Sequence, residues 1–238
     1  MAGRRDQLMD EFLDQLLGEL LADLAVHADP ARAASEQAYL KSDREFLGVT
    51  VPVGRKVVRR LLVAHDIADH DTVVGLAAAC WDLPLFEARR AAVEILVHRR
   101  EVLVPDDLAM LQDMARTCET WALLDGLAAE AVGSVVTRYP ADTGPVLDRW
   151  AADPDSLWVR RAALLSLLVP LRRGEGDWDR FCRYAEAMLD EREFFIRKAI
   201  GWVLRDTSRR RPELVRAWVE PRLDQMSGVT RREALKYL

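Results

Sequence analysis

Cysteine, histidine and lysine are scarce in this chain of 238 residues, and each scarcity excludes something. Cys80, Cys118 and Cys182 are far apart and odd in number, which argues against a disulfide framework and fits a reducing cytoplasm. The same spacing leaves no CxxC pair for zinc. His27, His65, His70 and His98 form no HExxH pair, so no catalytic metal centre is expected. No GxxxxGK[ST] or GxGxxG run is present, so no nucleotide cofactor is expected either, and Gly174–Gly176 in RRGEG reads as a loop. No apolar run approaches the ~18 residues of a membrane span. The opening MAGRRDQLMDEF turns acidic where a secretory signal would be apolar. The expected location is therefore the cytoplasm.

What is present is charge, unevenly placed. The chain as a whole carries −5. Residues 1–154 hold 16 Lys+Arg against 26 Asp+Glu, whereas residues 155–238 hold 18 against 13. Of the basic residues 30 are arginine and 4 lysine. Arginine makes forked contacts to phosphate that lysine cannot, so the basic part points to an anionic partner, against the plainer alternative of solvated helix faces.

Apolar residues recur at helical spacing throughout, with half the residues hydrophobic. Asp10–Leu24 reads as an acidic amphipathic helix. Pro30 fits a first helical turn; Pro52, Pro84 and Pro105 each open a periodic segment, and Pro140, Pro170 and Pro212 lie near boundaries. No alternating run competes as a strand. The expected fold is all-α, with about a dozen helices of ~10–18 residues joined by short connections.

Three segments resemble one another: EARRAAVEILVHRR (87–100), WVRRAALLSLLVPLRR (158–173) and FIRKAIGWVLRDTSRR (195–210). Aligned on Arg90, Arg161 and Lys198, the first interval is about twice the second, and the missing unit falls on TWALLDGLAAEAVGSVV with Asp125 in register. Arg55 or Lys56 lies one unit upstream. A period near 36 built of helix pairs is the mark of an α-solenoid. Lys56, Arg90, Asp125, Arg161 and Lys198 are expected in one row on a concave side. The chain is expected to be a single domain over 1–238, with residues 1–29 as an N-terminal cap.

Three positions fit a core poorly. On a helical wheel Trp202 falls with Lys198 and Arg205, away from Ile196, Ala199, Ile200, Val203 and Leu204. An indole flanked by cations suits packing on a sugar beside phosphates, or else covers a neighbouring helix. Trp121 and Asp125, four apart, share the rim of a second helix, which Thr117 or Thr120 can cap. Arg161 sits in an apolar stripe with Trp158, Leu165 and Leu168. A charge buried there needs a partner, and Asp125, one repeat away, is the natural one.

These segments, with YLKSDREFLGVTVP (39–52), WDLP (81–84) and RREALKYL (231–238), resemble the DNA alkylation repair proteins of the AlkD type, glycosylases built from HEAT-like repeats. The resemblance runs from about Tyr39 to the C-terminus. It implies removal of purines alkylated at N3 or N7 from duplex DNA, without a base-flipping pocket and so with tolerance of bulky adducts. By the same resemblance Asp125 is the catalytic aspartate, and Trp121 and Trp202 contact the deoxyribose. Arg161, Tyr39 and Thr50 lie on the DNA side, and Lys56, Arg90, Lys198 and Arg205 are expected to join them. Thr50, Thr120 and Val169 depart from the family pattern and bear on affinity and lesion preference. The implied partner is double-stranded DNA, met as a monomer, in housekeeping repair or in self-resistance. A non-catalytic DNA-structure binder or a protein-binding scaffold is the alternative.

Overall fold

The computed structural model describes residues 2–238, with side chains from residue 7 onward. Among the described residues it is helical, and β-structure is confined to one isolated bridge between Glu45 and Leu85. Two compact units divide the chain, Met1–Leu103 and Val104–Leu238.

The first unit contains α1 (Ala2–Ala25), α2 (Pro30–Leu40), α3 (Val51–Ala64), α4 (His70–Trp81) and α5 (Phe86–His98). The leucine stripe of α1 buries Leu16, Leu20 and Leu24 against α3 and α4. Pro30 opens α2, where its missing N–H costs nothing, and the Asp29 carboxylate caps the Ala31 and Arg32 amides at 3.0 and 3.1 Å.

The loop that launches α3 is held by one buried acid. Glu87, 1% exposed on α5, accepts the amides of Leu47 at 2.9 Å, Gly48 at 2.8 Å and Val49 at 3.1 Å. Gly48 is required there. Its φ is +78°, and a Cβ would lie 2.1 Å from the Asp29 carbonyl oxygen. Phe46 stacks on Phe86 at 4.4 Å, and the Phe86 amide donates to the Glu45 carbonyl at 2.9 Å. Thr50 and Lys56, at the start of α3, are placed by this loop.

The second unit runs α6 (Leu108–Arg116), α7 (Trp121–Gly126), α8 (Gly133–Arg138), α9 (Pro140–Ala151), α10 (Leu157–Leu165), α11 (Leu168–Arg172), α12 (Trp178–Ala187), α13 (Phe194–Ser208), α14 (Pro212–Val219) and α15 (Gly228–Ala234). Two helices depart from regular α geometry. A π-helical segment over Leu127–Val132 separates α7 from α8. Pro170 supplies no amide, so Ser166 and Leu167 form a turn and α11 is five residues long. Gly133 admits the turn, because a Cβ there would stand 2.9 Å from the Ser166 carbonyl oxygen.

The repeat is visible in which residues bond. In the first unit Arg55 pairs with Glu94 at 2.8 Å, and Arg60 pairs with Asp23. In the second, Arg116 meets Asp153 at 2.5 Å, Arg172 meets Asp206 at 2.7 Å, and the Tyr184 hydroxyl donates to Asp148 at 2.6 Å. Each of these pairs joins positions 34–39 residues apart.

Loss of the Glu87 carboxylate strands three amides, two of them buried. Glu87→Ala is expected to lower the free energy of unfolding by about 3 kcal/mol, and Glu87→Gln, which keeps one acceptor oxygen, by about half as much. Urea unfolding curves check both values.

Candidate active site

The candidate site is built on α7, α10 and α13 of the second unit. Glu119 turns the chain into α7 with φ 60°, a left-handed conformation that costs a non-glycine residue on the order of 1 kcal/mol. Thr120 caps the helix, its hydroxyl accepting the Ala122 amide at 3.3 Å. Trp121 is the first helical residue and is 37% exposed. Asp125 follows one turn later on the same face, its side chain 20% exposed. The π-helical segment begins two residues beyond it. Such segments shift the register of the side chains that follow them and collect at functional sites.

Arg161 comes from α10. Ser156 caps this helix, its hydroxyl accepting the Val159 amide at 3.3 Å, and Asp153 in turn accepts the Ser156 amide at 2.8 Å. Arg161 is 1% exposed. Its Nε donates to Oδ1 of Asp125 and its Nη2 to Oδ2, both at 2.9 Å, a forked pair across 36 residues. Its remaining Nη1 donates to the Phe195 carbonyl at the start of α13. The partner expected for the arginine in the apolar stripe is therefore present.

An aromatic wall adjoins the pair. The Arg161 guanidinium lies 5.8 Å from the Phe195 ring, which meets Trp158 at 5.1 Å and Phe194 at 5.4 Å. Phe194 is 51% exposed, and the Lys198 ammonium is 5.9 Å from its ring. Burial pushes the Asp125 pKa above its ordinary value; the charges of Arg161 and Lys198 pull it down without cancelling that effect.

Trp202 is half-buried on α13, four residues beyond exposed Lys198, and its indole Nε1 donates to Asp206 at 3.3 Å. Arg205 is held by Glu233 of α15 and by Asp206, the latter at 3.2 Å. In the first unit Tyr39 is 72% exposed on α2, Lys56 is exposed on α3, and Thr50 is half-buried at the N-terminus of α3. Arg90 is turned inward. It is 7% exposed, donates to the Val49 carbonyl at 2.5 Å and lies 3.7 Å from Glu36. The row expected through Asp125, Arg161 and Lys198 thus converges in the second unit. In the first unit the in-register cation at Arg90 braces the loop before α3, because a guanidinium on a packed helix face finds its acceptors inside. Among the described residues no cluster of three His, Cys, Asp or Glu side chains is arranged to hold a metal.

Sequence reasoning overlooked Phe194, Phe195 and Asp206. The two phenylalanines precede the apolar face of α13 and read as ordinary core. Asp206 carried a usable signal: it lies four residues after Trp202, as Asp125 does after Trp121.

The Arg161–Asp125 pair makes a stability prediction. Arg161→Ala leaves a mostly buried carboxylate uncompensated and is expected to cost about 3–5 kcal/mol at neutral pH. An acid whose folded pKa lies above its unfolded one penalises folding when ionised. The penalty is therefore full above the folded pKa and fades as the pH falls through it. Adding Asp125→Asn should recover part of the loss at neutral pH. Chemical unfolding at pH 7 and pH 4 measures both effects.

Comparisons with known proteins agree with this architecture. A solved structure from Enterococcus faecalis, described as a predicted DNA alkylation repair enzyme, aligns with a TM-score of 0.77 and 22% identity over 89% of this chain and 97% of its own. AlkD2 from Streptococcus mutans aligns with a TM-score of 0.59 and 16% identity over 97% of this chain and 99% of its own. At those identities the likeness is one of fold, the AlkD-type helical repeat. No curated protein matches the chain. The DNA alkylation repair enzyme family matches residues 20–238, starting inside α1 and taking in the whole of the site just described, and the chain belongs to that family.

Proposed function

We propose that the protein is a monofunctional DNA glycosylase that excises N3- and N7-alkylated purines from duplex DNA. The observation that carries this reading is Asp125, a carboxylate with both oxygens fixed by a buried arginine, one helical turn from a partly exposed tryptophan. Membership of the alkylation repair family supports the substrate class.

Alkylation at N3 or N7 makes the purine cationic, so it departs with the glycosidic electron pair as a neutral base and needs no general acid. The barrier lies in the positive charge that grows on the deoxyribose. A fixed, ionised Asp125 stabilises that charge at little reorganisation cost and orients the water that adds to C1′, whose proton passes to solvent. Trp121 and Trp202 offer indole faces to the same cation. Bonds to the sugar and backbone in place of the base accommodate bulky adducts. Lys198, Tyr39, Lys56 and Thr50 supply backbone contacts from accessible or half-accessible positions. The enzyme works as a monomer in the cytoplasm, and none of the described helices is long and apolar enough to cross a membrane.

One feature favours a second reading, DNA binding without catalysis. Both Asp125 oxygens already accept hydrogen bonds from Arg161, as they would in a purely structural ion pair. The decisive measurement is release of free base from duplexes carrying 7-methylguanine or 3-methyladenine. Wild type is expected to release base, and Asp125→Asn to be slower by about 10²–10³ with duplex affinity kept. Equal release by both proteins would eliminate the catalytic carboxylate; binding with no release by wild type would select the second reading.

Two further outcomes follow. Release is expected to fall as the pH drops through the pKa of Asp125, which stands above the ordinary aspartate value of 3.8. In Lys198→Ala, which lacks one cation that pulls this pKa down, the acid limb should move further up; a pH–rate profile of the two proteins reads the shift. Duplex affinity is expected to drop steeply with salt, because each phosphate contact releases counterions. Titrations at several salt concentrations give the slope.

A further inference from the structure

Trp121 and Trp202 have the same local construction. Each is followed four residues later by an aspartate on its own helix face, Asp125 on α7 and Asp206 on α13. Each aspartate is bound by an arginine from another helix, Asp125 by Arg161 of α10 and Asp206 by Arg172 of α11 at 2.7 Å. They differ in what the indole does. The Trp202 Nε1–H donates to Oδ2 of Asp206 at 3.3 Å, and Trp202 itself is half-buried.

Asp206 is 7% exposed and has three donors. The Arg172 Nε approaches Oδ2 at 2.8 Å, the oxygen that also accepts the indole N–H, and the Arg205 Nε approaches Oδ1 at 3.2 Å. Arg205 is anchored in turn by Glu233 of α15. The helices meet closely at this level: a Cβ on Gly201, the residue before Trp202, would stand 2.7 Å from the Glu233 Cβ. A half-buried indole whose single N–H is donated to a carboxylate held by arginines at both oxygens is biased against flipping about χ2, since a flip would give up that bond.

We infer that Asp206 is a positioning residue: braced by Arg172 and by the Arg205–Glu233 pair, it fixes the Trp202 indole in the orientation that faces the deoxyribose. The inference rests on the glycosylase reading for what the indole faces, though not for the orientation itself. Asp206 touches no substrate and acts through Trp202. It also accounts for Arg205, whose cation completes the brace.

The test is a cycle of Asp206→Ala and Asp206→Asn, each made alone and with Trp202→Phe, with thermal melts to show that every variant is folded. Asp206→Ala is expected to slow single-turnover release of 7-methylguanine about tenfold with duplex Kd changed less than about threefold, and to add nothing in the Trp202→Phe background. Asp206→Asn keeps an acceptor for the indole and should recover most of the loss. A merely structural role would slow both backgrounds equally, and that result would overturn the proposal. The second readout needs neither catalysis nor a change at residue 206. The indole N–H resonance of Trp202, assigned by its absence from Trp202→Phe, should exchange slowly with solvent in wild type. Fast exchange there would overturn the contact. Slow exchange with no base release by wild type would remove the glycosylase reading and leave the orientation of Trp202 standing.

Discussion

A guanidinium 1% exposed inside a helical bundle is a severe constraint, and Arg161 meets it with protein acceptors at all three of its nitrogens. Its donors are divided between the two oxygens of Asp125 and the Phe195 carbonyl, so one side chain ties α10 to α7 and to α13. An uncompensated charge at that depth would cost several kcal/mol, which makes the mutual register of three helices nearly obligatory. The carboxylate inherits this rigidity. It is held by both oxygens, raised in pKa by its burial, and still partly exposed. A fixed, partly exposed carboxylate is suited to meeting a cation that forms nearby, because it needs little rearrangement when the charge appears.

The same logic, in weaker form, spaces the rest of the chain. A helix pair stacked on its neighbour places equivalent positions one repeat apart, so an arginine on one helix finds an acid about 36 residues away. Arg55 with Glu94, Arg116 with Asp153 and Arg172 with Asp206 all follow this rule, within one unit or the other. Most of these pairs are partly exposed and contribute little singly. Their value is positional, since each opposes a slip of one helix along the next. The excess of arginine over lysine serves this role as well, because a planar fork specifies direction where an ammonium does not.

The repeat, the all-helical class and the Asp125–Arg161 pair were legible in the sequence because each depends on periodicity, which a single chain displays. Thr120 as a cap and Pro30 as a first-turn residue were legible for local reasons. What was hidden depends on a neighbour's backbone. The π-helical segment after Asp125 has no composition of its own; the close approach of Ser166 at Gly133 accompanies it, and only the fold brings those residues together. Arg90 has the register of a surface cation, yet the Val49 carbonyl lies within its reach, and the side chain turns in. Glu87 reads as an ordinary first-turn acid, but the loop before α3 passes over it and gives it three amides.

Trp202 shows where face arithmetic stops. Its wheel position beside Lys198 and Arg205 put an indole between two cations, suited to a sugar beside phosphates or to covering a neighbouring helix. The structure keeps the position and changes the chemistry. Arg205 is neutralised by Glu233 and Asp206, and the indole N–H is taken by the second of these acids. The cation left accessible on that stripe is Lys198, one turn nearer Asp125 and close enough to act on its charge. The Asp125 end of the stripe therefore keeps an accessible cation, while Arg205 itself is compensated by its two acids. On the proposed function, a duplex held at Lys198 would meet the Asp125 carboxylate beside it, with the braced Trp202 indole one turn further along α13.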